Sequence, residues 1–316
     1  SEEIFTRNEK SVGGFFEYSY DSLGSLILVA GARVDYHNLL GWFATPRIHA
    51  RLETWKKGVF KIAVGSGRRN ANIFAENQKM FASSRVYSIE SGSEKAYGLA
   101  PELAWNYGVS FLQEVNIVDK PLVISVDFFR TSFVNQAVVD YDNSHQSVLF
   151  YNLEGKSFSD AFQLETSYEL LKNLDLKMSY KNTNVKVNYK SGLLQKALQP
   201  RERYFANMEY QSNKKSNNSF WKFDVTYNRV GAQRIPNATY YNISEFSKAY
   251  NLFNAQITKV INERLELYAG GENLTNYKQK YPVLGSENPF EEGFDSTLVY
   301  APILGSMYYG GLRYKI

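Results

Sequence analysis

The chain of 316 residues contains no cysteine, which excludes a disulfide framework and thiol chemistry. It has no run of about 18 apolar residues, so no transmembrane helix is expected. The first residues, Ser1 to Ile4, lack the basic and apolar regions of a secretory signal, so the numbering is expected to begin inside a mature or fragmentary chain. The three histidines, His37, His49 and His145, lie on different segments, so no metal site is expected.

Charge and catalytic motifs argue against two further classes of function. The net charge of +4 is spread along the chain, so the sequence offers no concentrated basic surface for nucleic acid. No serine–histidine–aspartate set, phosphate-binding glycine loop or pair of catalytic carboxylates stands out. We therefore expect neither an enzyme nor a bound cofactor.

What the chain does contain is a two-residue rhythm of apolar and polar side chains. From Leu26 to Tyr36, the even-numbered positions are apolar or aromatic, and the odd-numbered positions include Arg33 and Asp35. Side chains of a strand alternate between its two faces, so this segment has one apolar and one polar face. In later segments the polar face carries many charges and the apolar face almost none, as expected between lipid and a water-filled interior. Periodicity alone also fits a soluble sandwich.

The lengths of the connections distinguish these two folds. Short links, such as Lys56 to Gly58 and Val118 to Lys120, alternate with mostly longer ones, such as Gly67 to Ala100 and Tyr281 to Gly305. Bacterial outer-membrane barrels have short periplasmic turns and long extracellular loops, and their aromatic girdles fit an aromatic content of 16%. The predicted fold class is all-β, a transmembrane antiparallel β-barrel in the bacterial outer membrane.

The pattern predicts 13 strands, counting residues 147–170 as one long strand that bends near Gly155. The predicted ranges are 11–20, 25–36, 45–55, 59–68, 102–115, 121–141, 147–170, 174–189, 201–212, 219–231, 248–261, 264–278 and 305–316. A closed, fully antiparallel barrel needs an even number of strands, and an open edge in lipid leaves backbone amides without partners. We therefore expect the chain not to close a barrel alone. Residues 305–316 should pair with a strand outside this sequence and not with 11–20.

Several sequence blocks carry a family resemblance. Residues 270–276 read Gly-Gly-Glu-Asn-Leu-Thr-Asn, and residues 308–316 read Tyr-Tyr-Gly-Gly-Leu-Arg-Tyr-Lys-Ile. Upstream lie Pro101 to Gly108, reading Pro-Glu-Leu-Ala-Trp-Asn-Tyr-Gly, and Phe150-Tyr151-Asn152 leading into Gln163-Leu164-Glu165. In type and order these blocks resemble the motifs of TonB-dependent outer-membrane receptors. Asn288-Pro289-Phe290, Phe294-Asp295 and Gly305 resemble the Bacteroidetes branch of that family in particular.

The resemblance implies the C-terminal part of a barrel of about 22 strands, whose lumen is closed by an N-terminal plug. The plug is expected to be absent from this chain. Residues 1–10 are interpreted as the remnant of an extracellular loop and 11–316 as barrel strands, with Ser1 outside the cell and Ile316 in the periplasm. The implied partners are the plug and the remaining barrel strands, TonB through that plug, outer-membrane lipid and the barrel insertion machinery. A surface lipoprotein is an optional further partner.

The function implied is active uptake of a scarce nutrient too large for porins, such as a metal chelate, a cobalamin-like molecule or an oligosaccharide. Two alternatives stay open. One is a structural barrel component of a larger outer-membrane complex. The other is a stand-alone pore of about 14 strands, which would require residues 147–170 to form two strands.

The last strand carries a candidate membrane-insertion signal. Tyr308, Leu312, Tyr314 and Ile316 form an apolar stripe that ends at the carboxyl terminus. In proteins that resemble this chain, such a strand is recognised by the insertion machinery through pairing at its edge. The family pattern favours a terminal aromatic residue, and Ile316 departs from it.

Candidate ligand-binding residues fall in two loops and on one polar strand face. Loops on a rigid scaffold commonly carry binding sites. The loop 67–100 offers basic and aromatic side chains that suit an anionic or ring-bearing ligand, with loop filling as the alternative: Arg68, Arg69, Asn72, Phe74 and Tyr87. A second loop offers Tyr240 and Tyr241, which could equally belong to an aromatic girdle. The strand 45–55 offers Arg47, His49 and Arg51, which could contact substrate, form salt bridges to the plug or simply line the lumen.

Overall fold

The computed structural model describes residues 7–22, 24–90 and 96–315. Within these ranges the helical segments are short, Ile73–Glu76 as α-helix and Gln78–Ala82 and Ala96–Gly98 as 3-10 helix, and none is long and apolar enough to cross a membrane. The strands are β1 Ser11–Asp21, β2 Leu26–His37, β3 Gly41–Trp55, β4 Gly58–Arg69, β5 Val86–Ile89, β6 Glu102–Ile117, β7 Lys120–Asn135, β8 Ala137–Asp140, β9 Ser147–Asn152, β10 Ser157–Leu171, β11 Leu174–Tyr189, β12 Gly192–Gln195, β13 Glu202–Gln211, β14 Phe220–Val230, β15 Tyr250–Val260, β16 Leu265–Glu272, β17 Val283–Leu284, β18 Asp295–Val299 and β19 Met307–Tyr314.

Among the described residues, thirteen strands follow one another in a single antiparallel wall, in the order β1-β2-β3-β4-β6-β7-β10-β11-β13-β14-β15-β16-β19. The short strand β12 folds back onto β11 and does not extend this path. No ladder joins β1 to β19 within the described residues, so the wall is open at these two edges. The predictions of an all-β barrel wall with about 13 strands and of an unclosed barrel are confirmed. Because thirteen is odd, β1 and β19 run in the same direction.

The prediction of one long strand over 147–170 is wrong. These residues form β9 and β10, which belong to two different sheets, and residues 121–141 divide in the same way into β7 and β8. β8 pairs with β9 antiparallel, and β5 adds to β9 in parallel. Gly155 lies in the break at φ +108°, a conformation that favours glycine. The chain bends at Gly155, and the hairpin of β8 and β9 leaves the wall. β9 therefore does not supply the fourteenth wall strand that a stand-alone pore would need.

The two faces of the wall differ as the alternation predicts. In β14, Val225 lies opposite Met208 of β13, whereas the neighbouring Asp224 lies opposite Glu209. Val225 is 48% exposed, and many other large apolar side chains of the wall are similarly uncovered. In water such exposure would be unfavourable, at roughly 25 cal/mol per Å² of apolar surface. It is the arrangement that contact with lipid requires.

Most of the buried apolar side chains lie in the long loops at one end of the wall. We call these loops the cap, defined as residues 70–101, 136–156, 190–201, 231–249 and 273–306 in the described parts of the chain. One cluster joins the loop 70–101 to the bent hairpin: Ile73, Met80, Leu99, Ala137, Val148 and Phe150. A second joins the last two long loops: Ile235, Ala238, Leu284, Leu298 and Tyr300. The cap is therefore a packed body that rests on the rim of the wall.

Candidate ligand site in the cap

The polar candidates of the loop 67–100 serve the local structure of the cap. Arg69 pairs with Glu102 at 2.6 Å and with Glu76 at 2.9 Å. The Asn72 side chain accepts a hydrogen bond from the Ala75 amide at 3.1 Å and so caps the short helix. These two side chains are committed to neighbours in the loop and do not converge on an open pocket. Their role as ligand residues stays a prediction.

The aromatic candidates of the same loop are packed inward. The ring of Phe74 lies 5.0 Å from that of Tyr97, and the ring of Tyr87 lies 6.3 Å from that of Phe150, both measured between centroids. Phe74 and Tyr87 pack against the cluster that holds Ile73 and Phe150. The remaining candidate, Arg68, lies with its guanidinium carbon 5.2 Å from the Phe43 ring centroid.

The candidates on β3 share the polar face of the wall. Arg47 forms an ion pair with Glu17 of β1, and Arg51 lies 2.7 Å from Glu53. His49 lines a groove of about 300 Å³ together with other polar-face residues, including Phe129. Contact of these side chains with substrate, a plug or lumen water stays a prediction.

Tyr240 and Tyr241 line a pocket of about 280 Å³ between the loops 231–249 and 273–306. The ring of Tyr240 stacks on His145, with 3.6 Å between centroids and an interplanar angle of 11°, and it meets Tyr241 edge-on at 5.0 Å. Such pairs favour one orientation of the rings. The pocket is lined further by Ile243, Tyr281, Val283, Leu284, Gly285, Ser286, Glu287, Asn288, Glu291, Gly293, Phe294 and Tyr300. The lining residues from 281 onward carried no motif that sequence reasoning could read as a binding site.

Two buried ion pairs, which the sequence does not predict, connect the loops of the cap. Arg85 lies 2.8 Å from Asp295, and both side chains are 3% exposed. Arg234 holds Asp142 in a two-pronged contact at 2.8 and 2.7 Å. Planar guanidinium groups suit such bidentate contacts with carboxylates. The partners in each pair come from loops far apart in the sequence, so no local signal announces them.

Burial is the main cause of the raised pKa values of two tyrosines near the Arg85–Asp295 pair. It raises the pKa of Tyr141 to about 12, and the nearby charge of Arg85 opposes part of that rise. Burial also raises the pKa of Tyr241, against the influence of Arg85. A phenol loses its proton less readily in a low-dielectric setting, because the charged form is disfavoured there. The raised pKa values keep Tyr141 and Tyr241 neutral at physiological pH.

The apolar stripe of the last strand lies on the lipid side of β19. Tyr308, Leu312 and Tyr314 are 75%, 66% and 58% exposed and face outward with Leu267 of β16. Ile316, the last residue of the stripe, lies outside the described residues. Recognition of this strand by the insertion machinery stays a prediction. As for metals, the described ranges hold no group of three or more His, Cys, Asp or Glu side chains that could bind an ion.

Comparison with solved structures shows the same fold in larger proteins. The chain matches the ferric enterobactin receptor from Pseudomonas aeruginosa with a TM-score of 0.69 and 15% identity, covering 97% of this chain and 45% of that one. It matches the copper transporter OprC with a TM-score of 0.70 and 14% identity, covering 98% of this chain and 47% of that one. It also matches P. aeruginosa FpvA, in a complex with pyoverdine and iron, with a TM-score of 0.63 and 13% identity, covering 97% and 38%.

The chain therefore spans less than half the length of these structures. Comparison with curated proteins gave no significant match. The family model described as TonB dependent receptor-like, beta-barrel matches residues 3–274, which is most of the sequence. Together with the open antiparallel wall, this match shows that the chain belongs to the TonB-dependent receptor-like β-barrel family, whose members are transporters of the Gram-negative outer membrane and not enzymes.

Proposed function

We propose that this chain is the C-terminal part of the barrel of a TonB-dependent receptor of the Bacteroidetes type, which takes up a scarce nutrient across the outer membrane. The family match over residues 3–274 carries this proposal. The order of the motifs, from Pro101-Glu102 to the terminal strand, supports the placement toward the C-terminal end of the receptor. Among the nutrient classes considered, a metal chelate is favoured over a cobalamin-like molecule or an oligosaccharide, because the similar structures include a ferric enterobactin receptor and a copper transporter.

The two open edges of the wall support a further part of the proposal. An unpaired strand edge in lipid costs several kcal/mol for each amide left without a partner. The edges at β1 and β19 should therefore pair with the remaining strands of the same receptor. A plug inside the completed barrel would contact TonB and couple uptake to energy from the inner membrane.

Uptake is tested by deleting the gene region that encodes this chain and growing the cells on limiting nutrient. We expect slower growth on one scarce metal chelate, restored by the intact gene, with normal growth when free metal is abundant. Equal growth of deleted and intact cells on every metal chelate, cobalamin and oligosaccharide supplied would contradict the transport proposal. It would favour the scaffold alternative.

Completion of the barrel is tested with engineered cysteines, since the natural chain has none. Single cysteines placed at Phe16 in β1 and at Leu312 in β19 mark the two edges. When each thiol carries a benzophenone maleimide, which inserts into C–H bonds on illumination, we expect each edge to cross-link in mild detergent extracts to strands outside this chain. Without the label, the doubly substituted chain should form no disulfide between its own two edges. A cross-link between the two positions within one chain would show that the wall closes on itself.

A further inference from the structure

The pocket between the loops 231–249 and 273–306 is lined by aromatic and acidic side chains, and its lining includes no basic residue. Aromatic rings form about a third of its lining, and its two charged lining residues, Glu287 and Glu291, are both acidic. The aromatic part of the lining is Tyr240, Tyr241, Tyr281, Phe294 and Tyr300. Aromatic rings present a negative face, so rings and carboxylates favour the same kind of guest.

The two buried arginines of the cap are already paired with carboxylates. Arg85 is paired with Asp295 and Arg234 with Asp142, all four side chains being at most 8% exposed. Among the described residues neither Glu287 nor Glu291 forms a direct salt bridge, although Glu287 interacts with the charge of Lys280 at longer range. The anionic ligand expected for the loop 67–100 is therefore not matched by the two carboxylates that line this pocket.

The rim of the pocket already holds a cation from the chain itself. The ammonium group of Lys280 lies 4.8 Å from the centroid of the Tyr281 ring, which lines the pocket. A hydrogen bond with Tyr281 raises the pKa of Lys280, and the charge of Glu287 adds to the rise. The same ring and carboxylate that stabilise this ammonium also line the pocket.

The pocket is held in shape by contacts outside it. Tyr240 is fixed between the stacked ring of His145 and the edge of Tyr241. Ser286 contributes a buried hydroxyl oxygen that has no hydrogen-bond partner in the described part of the chain. A buried polar atom left without a partner is unfavourable, so a polar guest that reaches this hydroxyl would satisfy it. A volume of about 280 Å³ accommodates one small charged group and its stem, not a whole large nutrient.

From these observations we propose that the pocket binds an organic cation, a guanidinium or ammonium group carried by the transported molecule. This inference rests on the proposed function, because it treats the cap as the first contact of a nutrient receptor. Rings supply cation–π contacts, Glu287 and Glu291 supply the opposite charge, and the Ser286 hydroxyl accepts an N–H.

The test uses the detergent-purified protein and a matched pair of probes. Nα-acetylarginine amide carries a guanidinium, and Nα-acetylcitrulline amide has nearly the same shape without the charge. Binding is measured by isothermal titration calorimetry, and folding of each variant by heat-modifiable migration. We expect the arginine probe to bind about tenfold more tightly than the citrulline probe, the size expected for one charged hydrogen-bonded contact.

Three variants test whether the arginine probe binds in this pocket or is attracted only by the overall negative charge of the loop. Glu287→Gln and Glu291→Gln each keep the shape of the side chain and should weaken the arginine probe about tenfold. Glu292→Gln removes a charge from the same loop at a residue that does not line the pocket and bonds Gln146 at 2.7 Å. It should leave binding unchanged. Equal affinity for both probes, no binding of either, or an equal loss in all three variants would overturn the inference. Because growth tests the proposed function separately, intact nutrient uptake together with any of these results would reject the cation pocket alone.

Discussion

At the scale of single residues, the cap depends on charges that are buried in pairs. Arg234 and Asp142 are 4% and 8% exposed, so each compensates a charge that water cannot reach. The sequence shows an arginine and an aspartate in polar surroundings and gives no sign that they meet. Tyr240 and Tyr241 could be named as candidates from their place in a long loop. The carboxylates beside them could not, because Glu287 and Glu291 are exposed, as glutamates in loops ordinarily are.

The first prediction concerns this buried pair. Arg234→Met leaves the Asp142 carboxylate buried without its partner and should destabilise the closed cap by about 3–5 kcal/mol. The double variant Arg234→Met with Asp142→Leu should recover most of that loss, because an apolar pair of similar volume is often as stable. Amide hydrogen exchange in the loops of the cap measures the effect.

An exposed pair in the same cap provides the control. Lys190 and Glu90 form an ion pair with side chains 43% and 51% exposed. Lys190→Gln should change cap stability by no more than about 1 kcal/mol. Equal exchange rates in Arg234→Met and Lys190→Gln would show that the buried pair contributes no more to the stability of the cap than the exposed pair does.

The second prediction is a loss of cap stability in alkali. The pKa of Tyr141 is raised from 10.0 to about 12 in the folded protein, so the folded state holds its proton more tightly than the unfolded state does. The stability that this group contributes is complete below pH 10 and is lost as pH rises toward 12. Titration of tyrosinate absorbance, together with near-ultraviolet circular dichroism, should show late ionisation with opening of the cap.

Tyr141→Phe is the matched variant for that titration. It removes the ionisable hydroxyl and keeps the ring, so the alkaline loss of the dichroism signal should be smaller than in the natural protein. An unchanged alkaline transition in this variant would assign the effect to other groups.

At the scale of elements, the alternation of side chains was sufficient for the wall and insufficient for the cap. The predicted strand 219–231 corresponds to Phe220–Val230, because one face must be apolar and the other polar. β8 and β9 are extended as well, but their apolar residues are consecutive and both faces are buried. A period of two residues tells that a segment is extended but not which sheet it joins. For this reason the bend near Gly155 could be placed, while the change of sheet could not.

The third prediction concerns the tight turn between β6 and β7. Val118 and Asp119 both have positive φ, 48° and 62°, and Val118 is 85% exposed. A turn with two positive φ values suits asparagine and glycine, and a β-branched residue there is strained. Val118→Asn should stabilise the wall by about 1 kcal/mol, measured by urea unfolding in detergent. Val118→Ala, which removes the branch without favouring positive φ, should give a smaller gain. A loss of stability in Val118→Asn would contradict the strain argument.

At the scale of the whole molecule, the wall separates lipid on one face from the aqueous lumen on the other. The assignment of the two faces therefore predicts where a charged substitution will destabilise the barrel. Val225 lies near the middle of β14 on the apolar face, and Thr226 is its neighbour on the polar face. The sequence fixes this division well, because lipid excludes charge from every second position. It could not locate the ligand pocket, since that depends on contacts between loops that the alternation does not describe.

The fourth prediction follows from that division. Val225→Arg places a charge in the lipid and should destabilise the barrel by about 2–4 kcal/mol, with less folded protein recovered from outer membranes. Thr226→Arg introduces the same side chain one residue further along, toward the lumen, and should be tolerated far better. Heat-modifiable migration after extraction measures both. Equal recovery of the two variants would reverse or abolish the assignment of faces.

The position of the packed core in the cap has a consequence for the order of assembly. A finished cap, with its buried ion pairs and its polar surface, cannot pass through the hydrocarbon layer. The loops must therefore be translocated as unfolded polypeptide, and their core can form only after the flanking strands have fixed where each loop emerges. Errors in strand register would then appear first as loops that fail to meet, and the Arg85–Asp295 and Arg234–Asp142 pairs would close last, marking a barrel that has been built correctly.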